Sequence, residues 1–371
     1  MCACEKLPQN AHEWRGPWIG GKAPFLMKST PMARIFRGTP RNMAMLARRL
    51  RAGEVVAVPT ETVYGLAADA LNARACRLIF EAKGRPATDP LIVHIQSMWE
   101  LGLVAEANPA ARRLAAAFWP GPLTLVLPKK KVIPDIVTAG RSSVAVRMPA
   151  HPLLRRLLKL AARPLAAPSA NPFGYVSPTT AEHVRHGLGL KIRHILDGGP
   201  ARIGVESTII DLRNPEKPSL LRPGAISRAA IARVLGRPVA VQNTRKNSVA
   251  KDRKSRRLAP AHRGELAPGQ LARHYSPRAP VVLHRRLSLS AAAKAPRDEA
   301  WLFLRRPPAS AGPNVFWLDE KGDSRGAARR LFATLRSLDA GPWRLIHAEF
   351  ARGGELAEAI NDRLRRAAAR G

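Results

Sequence analysis

Lys83 and Arg85 stand one residue apart in the stretch AKGRPATDP, and Pro86 then forces the chain into an extended exit. Two cations at the end of a predicted helix complement its dipole, which is a structural job. Turned toward a ligand, the same pair would neutralise phosphate oxygens. Arg147, in SSVAVRMP, lies within a strand otherwise fit for burial. A guanidinium there needs an anionic partner, because an unpaired buried charge costs several kcal/mol. That partner is either an internal Asp or Glu or a substrate carboxylate bound bidentately. His94 sits among apolar neighbours in PLIVHI, a setting in which a lone histidine is more often a hydrogen-bonded core residue than a ligand.

Three further stretches offer small polar groups where apolar runs stop. Thr60, Glu61 and Thr62 follow Pro59 at the end of an apolar run, Gly53 to Val58, that reads as a buried strand. Water at a strand end would explain them, and so would a ligand at the carboxyl ends of an open α/β sheet. Ser169, Asn171 and Ser177 are held among Pro168, Pro172 and Pro178, a stiffened loop suited to phosphate or sugar oxygens. GVESTII places Glu206, Ser207 and Thr208 inside an otherwise apolar strand, and LLRPG delivers Arg222 just before a Pro-Gly turn. The chain has no H-E-x-x-H, no Cys/His pair with zinc spacing, no G-x-S-x-G elbow and no sound dinucleotide fingerprint. An inventory of cations, hydroxyls and amides without a nucleophile suits a reaction in which the substrates supply the chemistry and the protein supplies position and charge.

The elements that must hold these groups alternate densely between residues 39 and 238. RNMAMLARRLRAG reads as an amphipathic helix, NARACRLIFEAKG as a helix stopped by Gly84, and HPLLRRLLKLAA and TTAEHVRHGL as two more. PLIVHI, PLTLVLPKK, SSVAVRMP and RPLAAPSAN read as strands, whereas the Gly-Leu-Ala-Ala run after Tyr64 looks helical. Residues 1–38 show no sustained period and are expected to form a loosely ordered extension. Residues 239–279 are basic and Pro-rich, as a linker is. From Pro280 to Gly371 strands and helices return as a second, smaller α/β domain of Rossmann-like type.

The 371 residues are enough for two domains, and no apolar run is long enough for a membrane helix, so the expected location is the cytoplasm. Three cysteines give no disulfide framework. The 62 Lys and Arg against 27 Asp and Glu leave a formal charge of +35, which favours polyanionic partners, nucleotide phosphates or RNA. Only 5% of residues are aromatic, so a stacking platform for single strands is not indicated.

In order along the chain, PTETVYGLAADA, AKGRP, PLIVHI, WPGPLTLVL, VAVRMPAHP, APSAN, SPTTAEHV, ILDGG, GVESTIIDL and LLRPGAI resemble the motifs of the YrdC-like threonylcarbamoyl-AMP synthases. APGQLARHYSP followed by a second domain resembles the longer, two-domain branch of that family. The resemblance implies a twisted open mixed α/β sheet with a large basic cavity. It implies a nucleotidyltransferase joining L-threonine, bicarbonate and ATP, with Mg²⁺ accompanying ATP, into threonylcarbamoyl-AMP and pyrophosphate. The product would pass to threonylcarbamoyl-transferase proteins that modify tRNA. By resemblance, Thr60, His94, Arg147 and Ser207 would contact L-threonine. Lys83, Arg85, Ser143, Ser169, Asn171, Ser177, Arg222 and Tyr275 would hold ATP or the adenylate, with Lys83 and Arg85 as the catalytic pair and Tyr275 folding back over the nucleotide. No metal-ligand residue is singled out, and the sequence leaves open whether Mg²⁺ is held by the protein or by ATP alone.

Ser143 stands where relatives often have Thr, a change that keeps the hydroxyl. The extension and the basic linker exceed the pattern and leave a tRNA or double-stranded RNA contact open. The alternative from another class is a non-catalytic RNA-binding module of the same fold. The complete set Lys83, Arg85, Ser169 and Asn171 argues against it.

Overall fold

The computed structural model describes residues 32–242, 267–268, 275–308 and 312–369. Residues 1–31 of the expected extension and most of the basic linker lie outside the described residues. Arg34–Arg37, inside the segment expected to be loosely ordered, form an edge strand, β1. Helix α1 (Pro40–Arg51) follows, capped by Thr39, whose side chain accepts from the Asn42 amide. Its face Met43, Leu46, Ala47 and Leu50 recurs at helical spacing and is buried.

Strand β2 (Val56–Val58) runs into the polar triplet and returns as β3 (Gly65–Asp69), antiparallel to it, with Val58 opposite Gly65. The GLAA run expected to be helical is therefore a strand. Every residue of β3 is buried. A strand enclosed on both faces shows no alternation, and small side chains carry no period to betray it.

Helix α2 (Ala73–Lys83) ends at Gly84, which adopts the left-handed conformation. Then come β4 (Ile92–His94), α3 (Met98–Val104), α4 (Pro109–Phe118), β5 (Leu123–Pro128), α5 (Asp135–Thr138), β6 (Ser143–Arg147), α6 (Pro152–Ala161) and β7 (Leu165–Ala166). The first unit is completed by α7 (Ala181–Leu188), β8 (His194–Asp197), β9 (Thr208–Asp211), β10 (Ser219–Arg222), α8 (Arg228–Leu235) and β11 (Ala240–Val241). Only Thr208 of the expected Glu206-Ser207-Thr208 strand segment is paired; Glu206 and Ser207 precede it.

The sheet order is β1-β8-β2-β3-β7-β4-β6-β5-β9-β10-β11, with parallel and antiparallel neighbours mixed. Helices α1 and α6 bury Leu46, Leu50, Leu154, Leu157 and Leu158 with Val56 and Val58 of β2 in one apolar cluster. Leu101, Leu114, Val93, Val146 and Ile195 belong to a second, larger cluster.

Four strands make a separate sheet: β12 (Val281–His284), β13 (Glu299–Arg305), β14 (Val315–Asp319) and β15 (Leu345–Glu349), in the order β12-β15-β13-β14 and parallel throughout. Helix α9 (Leu289–Lys294) follows β12, α10 (Ser324–Ala340) follows β14 and α11 (Ala357–Ala368) closes the described chain. Leu331, Phe332, Leu335, Ile360 and Leu364 of the last two helices pack on Ala300, Leu302, Ile346 and Ala348. The same apolar cluster takes in Val63, Val176, Val205 and Tyr275, so the small sheet's core extends to loops of the large one.

Candidate active site

A narrow cleft, about 500 Å³ when the open solvent at its mouth is counted, lies along one face of the central strands. Ile92 and His94, alternate residues of β4, line it beside Arg147 of the neighbouring β6. Alternation puts the intervening Val93 and Val146 on the opposite, apolar face. Because the sheet is mixed, the carboxyl ends of β4 and β6 meet the amino end of β9 and the carboxyl end of β10 at one edge of the cleft. Ser207 and Arg222 enter there.

The Thr60-Glu61-Thr62 triplet serves architecture and charge balance. Thr60 Oγ1 accepts from the Thr62 and Val63 amides at 3.0 and 3.1 Å, closing the turn after β2. Glu61 forms the ion pair that buried Arg147 requires, Nη2 to Oε1 at 2.7 Å. Arg147 also donates from Nη1 to Thr62 Oγ1 at 3.0 Å and from Nε to the Gly121 carbonyl at 3.2 Å. Burial alone would raise the Glu61 carboxyl, but Arg147 prevails and holds it below its ordinary value. Of the two partners left open for Arg147, the internal carboxylate is the one in place.

His94 is pushed down to about 3, first by burial and then by the Arg147 charge beside it. It is therefore a neutral imidazole, and its Nδ1 is buried without a hydrogen-bond partner. A buried polar atom in that state costs about 1–3 kcal/mol unless a ligand reaches it.

The other end of the cleft is more strongly cationic. Arg85 pairs with Asp89 at 3.0 Å and donates to the carbonyls of Asp89 and Pro90. Arg222 is 3% exposed and makes only neutral contacts, to the Ser207 carbonyl, Ser207 Oγ and the Pro268 carbonyl, each at 3.1 Å. Among the described residues no carboxylate lies within ion-pair distance of it. Ser207 Oγ also shares a hydrogen bond with Thr124 Oγ1 at 2.8 Å. Gly224 lets these segments meet, since a Cβ there would collide with the backbone at Glu206 and Thr208.

Thr60, Arg85, His94, Arg147, Ser169, Ser207, Arg222 and Tyr275 thus share one cleft. Lys83, Asn171, Ser177 and Ser143 do not form its wall. Lys83 Nζ donates to the carbonyls of Ser169 and Asn171 at 2.6 and 2.5 Å, fixing the Pro-bounded loop from behind. Burial pushes its ammonium well down, and Arg85 acts in the same direction. Asn171 donates to the carbonyls of Pro172 and Tyr175, and Ser177 donates to Glu206 Oε1 at 2.6 Å. Ser143 begins β6 while Arg147 ends it, so the two share a face but stand about 13 Å apart along the strand.

Sequence reasoning noticed Glu61, Thr62 and Glu206 without giving them roles, and it missed Asp89, Thr124 and Arg363. Asp89 had a local signal, lying four residues beyond Arg85 in the same short loop. Arg363, which pairs with Glu206 at 2.8 Å from 157 positions away, had none.

Residues 48–224 match the family described as "Telomere recombination", and residues 226–369 match the threonylcarbamoyl-AMP synthase C-terminal domain. A threonylcarbamoyl-AMP synthase of Pyrococcus abyssi is 42% identical over 331 residues, which span 86% of this chain and 91% of the relative. One from Bacillus subtilis is 45% identical over 243 residues, 65% of this chain and 66% of the relative. Among solved structures, that of P. abyssi Sua5 complexed with L-threonine superposes with a TM-score of 0.81 at 39% identity, covering 91% of this chain and 98% of the other.

Proposed function

The chain belongs to the two-domain branch of the threonylcarbamoyl-AMP synthase family, and we propose that its cleft joins L-threonine, bicarbonate and ATP into threonylcarbamoyl-AMP. The activity is that of a transferase making an adenylate. The observation that carries the assignment to this cleft is the convergence of three guanidinium groups, from Arg85, Arg147 and Arg222, with a neutral His94 and the hydroxyls of Ser169 and Ser207.

The threonine amine adds to the carbon of CO₂ derived from bicarbonate, losing a proton and leaving a carbamate. A carbamate oxygen then attacks the α-phosphorus of ATP, and the bond to the bridging oxygen of pyrophosphate breaks. Two anions must approach one another, so the protein's task is to hold them in line against their repulsion. Arg222, in direct ion pair with no carboxylate among the described residues, supplies the positive field at the phosphate end. Arg85 and the Ser169 hydroxyl line the same end, and Lys83 acts from behind by keeping the Ser169–Asn171 loop in place. The remaining N–H groups of Arg147 receive the threonine carboxylate, and His94 Nδ1 meets a polar group of the amino acid. Ser207 lies between the two ends.

Asn171, Ser177 and Tyr275 complete the nucleotide end, Asn171 and Ser177 through the loop they brace and Tyr275 as a wall. Ser143 serves the nucleotide only beyond the cleft described above, further along the same face. Mg²⁺ would arrive with ATP. The chain's own groups do not suit a metal cage, because Glu61, Asp89 and Glu206 each engage an arginine, and no three His, Cys, Asp or Glu side chains converge among the described residues.

No helix among the described residues is long and apolar enough to cross a membrane. A cytoplasmic enzyme handing its adenylate to a tRNA-modifying transferase fits this chemistry, and the +35 charge suits a direct tRNA contact. Pyrophosphate release tests the reading. It should require ATP, bicarbonate and L-threonine together, with L-serine a poor substitute, and release independent of the amino acid would overturn it.

A further inference from the structure

Glu206 is a carboxylate in the wall of a cleft built for anions, and left alone it would repel phosphate. Its charge is met from the far end of the chain. Arg363 of α11 is fully buried, donates from Nε to Glu206 Oε2 at 2.8 Å, and donates from Nη1 to the Pro223 carbonyl at 2.9 Å and to Asp362 Oδ2 at 2.7 Å, a carboxylate that Arg366 also meets at 3.1 Å. Glu206 and Pro223 are the immediate neighbours of Ser207 and Arg222, the two cleft residues joined to each other at 3.1 Å. The guanidinium carbon also lies 5.5 Å from the centre of the Tyr275 ring, which packs against Phe332 of α10 with ring centres 5.3 Å apart. Glu206 Oε1 accepts from Ser177, the loop residue whose carbonyl, with that of Val176, takes Arg336 of α10. At Gly204, two residues before Glu206, a Cβ would strike the backbone of Ala328 and Arg329, so α10 rests directly on this strand entry.

We propose that Arg363 is a positioning residue for the nucleotide end of the cleft, through which the C-terminal domain neutralises Glu206 and sets Ser207, Arg222 and Tyr275 in place. The role rests on the synthase reading. It assigns the C-terminal domain a direct part in holding ATP and only an indirect one, through Ser207 and Val63, in holding L-threonine, because the side-chain hydrogen bonds of Thr60 and Arg147 stay within segments of the large sheet. Burial would push the Glu206 carboxyl up, and Arg363, then Arg222, hold it down. Without Arg363 the carboxylate in the cleft wall loses its ion pair and keeps only the Ser177 hydroxyl and the field of Arg222 against its charge. ATP should then bind more tightly as pH falls and Glu206 takes a proton.

The test is calorimetric titration of the full-length protein with ATP and, separately, with L-threonine, for wild type, Arg363→Met, Glu206→Gln/Arg363→Met and Arg363→Lys. Arg363→Met is expected to weaken ATP at least tenfold while leaving L-threonine within twofold. Adding Glu206→Gln should recover most of the loss, and lowering the pH should recover part of it. Arg363→Lys, which keeps the charge and forfeits the fork, should weaken ATP three- to tenfold with L-threonine unchanged, and it decides the matter if Arg363→Met does not fold. ATP affinity within twofold of wild type in Arg363→Lys and in any folded Arg363→Met would overturn the role. So would parallel loss of both ligands with no recovery in the double variant. Wild-type protein that binds ATP yet releases no pyrophosphate would remove the synthase reading alone; wild-type protein that binds no ATP would remove both.

Discussion

At one end of the cleft the cation is neutralised within the large sheet, Arg147 by Glu61 at 2.7 Å; at the other, Arg222 is equally buried and touches only neutral acceptors. The first end is electrically closed and offers a neutral histidine with a spare ring nitrogen, a setting for a zwitterion such as an amino acid. The second carries surplus positive charge and borrows support from the C-terminal helices, a setting for a polyphosphate. Substitutions at the two ends should therefore fail in different ways.

Arg222→Met should give the largest loss of activity, about 100- to 1,000-fold in pyrophosphate release, as expected when a main electrostatic donor is removed. Its fold should suffer little, about 1–2 kcal/mol in urea titration, because the three hydrogen bonds lost are offset by relief of the cost of burying a guanidinium that has no ion pair. Lys83→Ala should lower turnover by about 100-fold through the freed Ser169–Asn171 loop, a positioning loss that steady-state kinetics would register mainly against ATP. Arg147→Met reverses the balance. It strands Glu61, so it should cost about 3–5 kcal/mol of stability together with L-threonine binding.

His94→Ala should be the mildest, raising KM for L-threonine by about tenfold, the worth of one hydrogen bond to a charged ligand group. It should also change the acid response. Between 6.5, the ordinary value, and about 3, the unfolded chain binds a proton at His94 that the folded one excludes, so wild-type stability falls as pH drops through that window. Urea midpoints at pH 7 and pH 5 should differ less in His94→Ala than in wild type.

The strands and helices with a clear apolar period were legible, including the helix that ends at Gly84 and the strands carrying His94 and Arg147. Strand β3 was not, because an all-buried run of Gly, Leu and Ala carries no alternation. Several of the site's polar groups could be picked out as interruptions of apolar runs, whereas Ser143 and Tyr275 came only with the family resemblance, and eight of the twelve singled out line the cleft. What a single sequence could not convey was which cation meets which anion. Arg147 demanded a partner by its setting, yet Glu61 reaches it from the turn between β2 and β3, 86 positions away, with β7 and β4 standing between β3 and β6 in the sheet order. Arg363 sits on an amphipathic helix with several other arginines and has nothing local to single it out. Its partner is fixed by how the two sheets pack.

The division of the cleft into an amino-acid end and a nucleotide end is tested most directly by titrating L-threonine into wild type, Arg222→Met and Arg147→Met, with pyrophosphate release measured on the same preparations. Arg222→Met should bind L-threonine as wild type does while releasing almost no pyrophosphate, and Arg147→Met should fail to bind it. Loss of L-threonine binding in Arg222→Met, or its retention in Arg147→Met, would contradict the account.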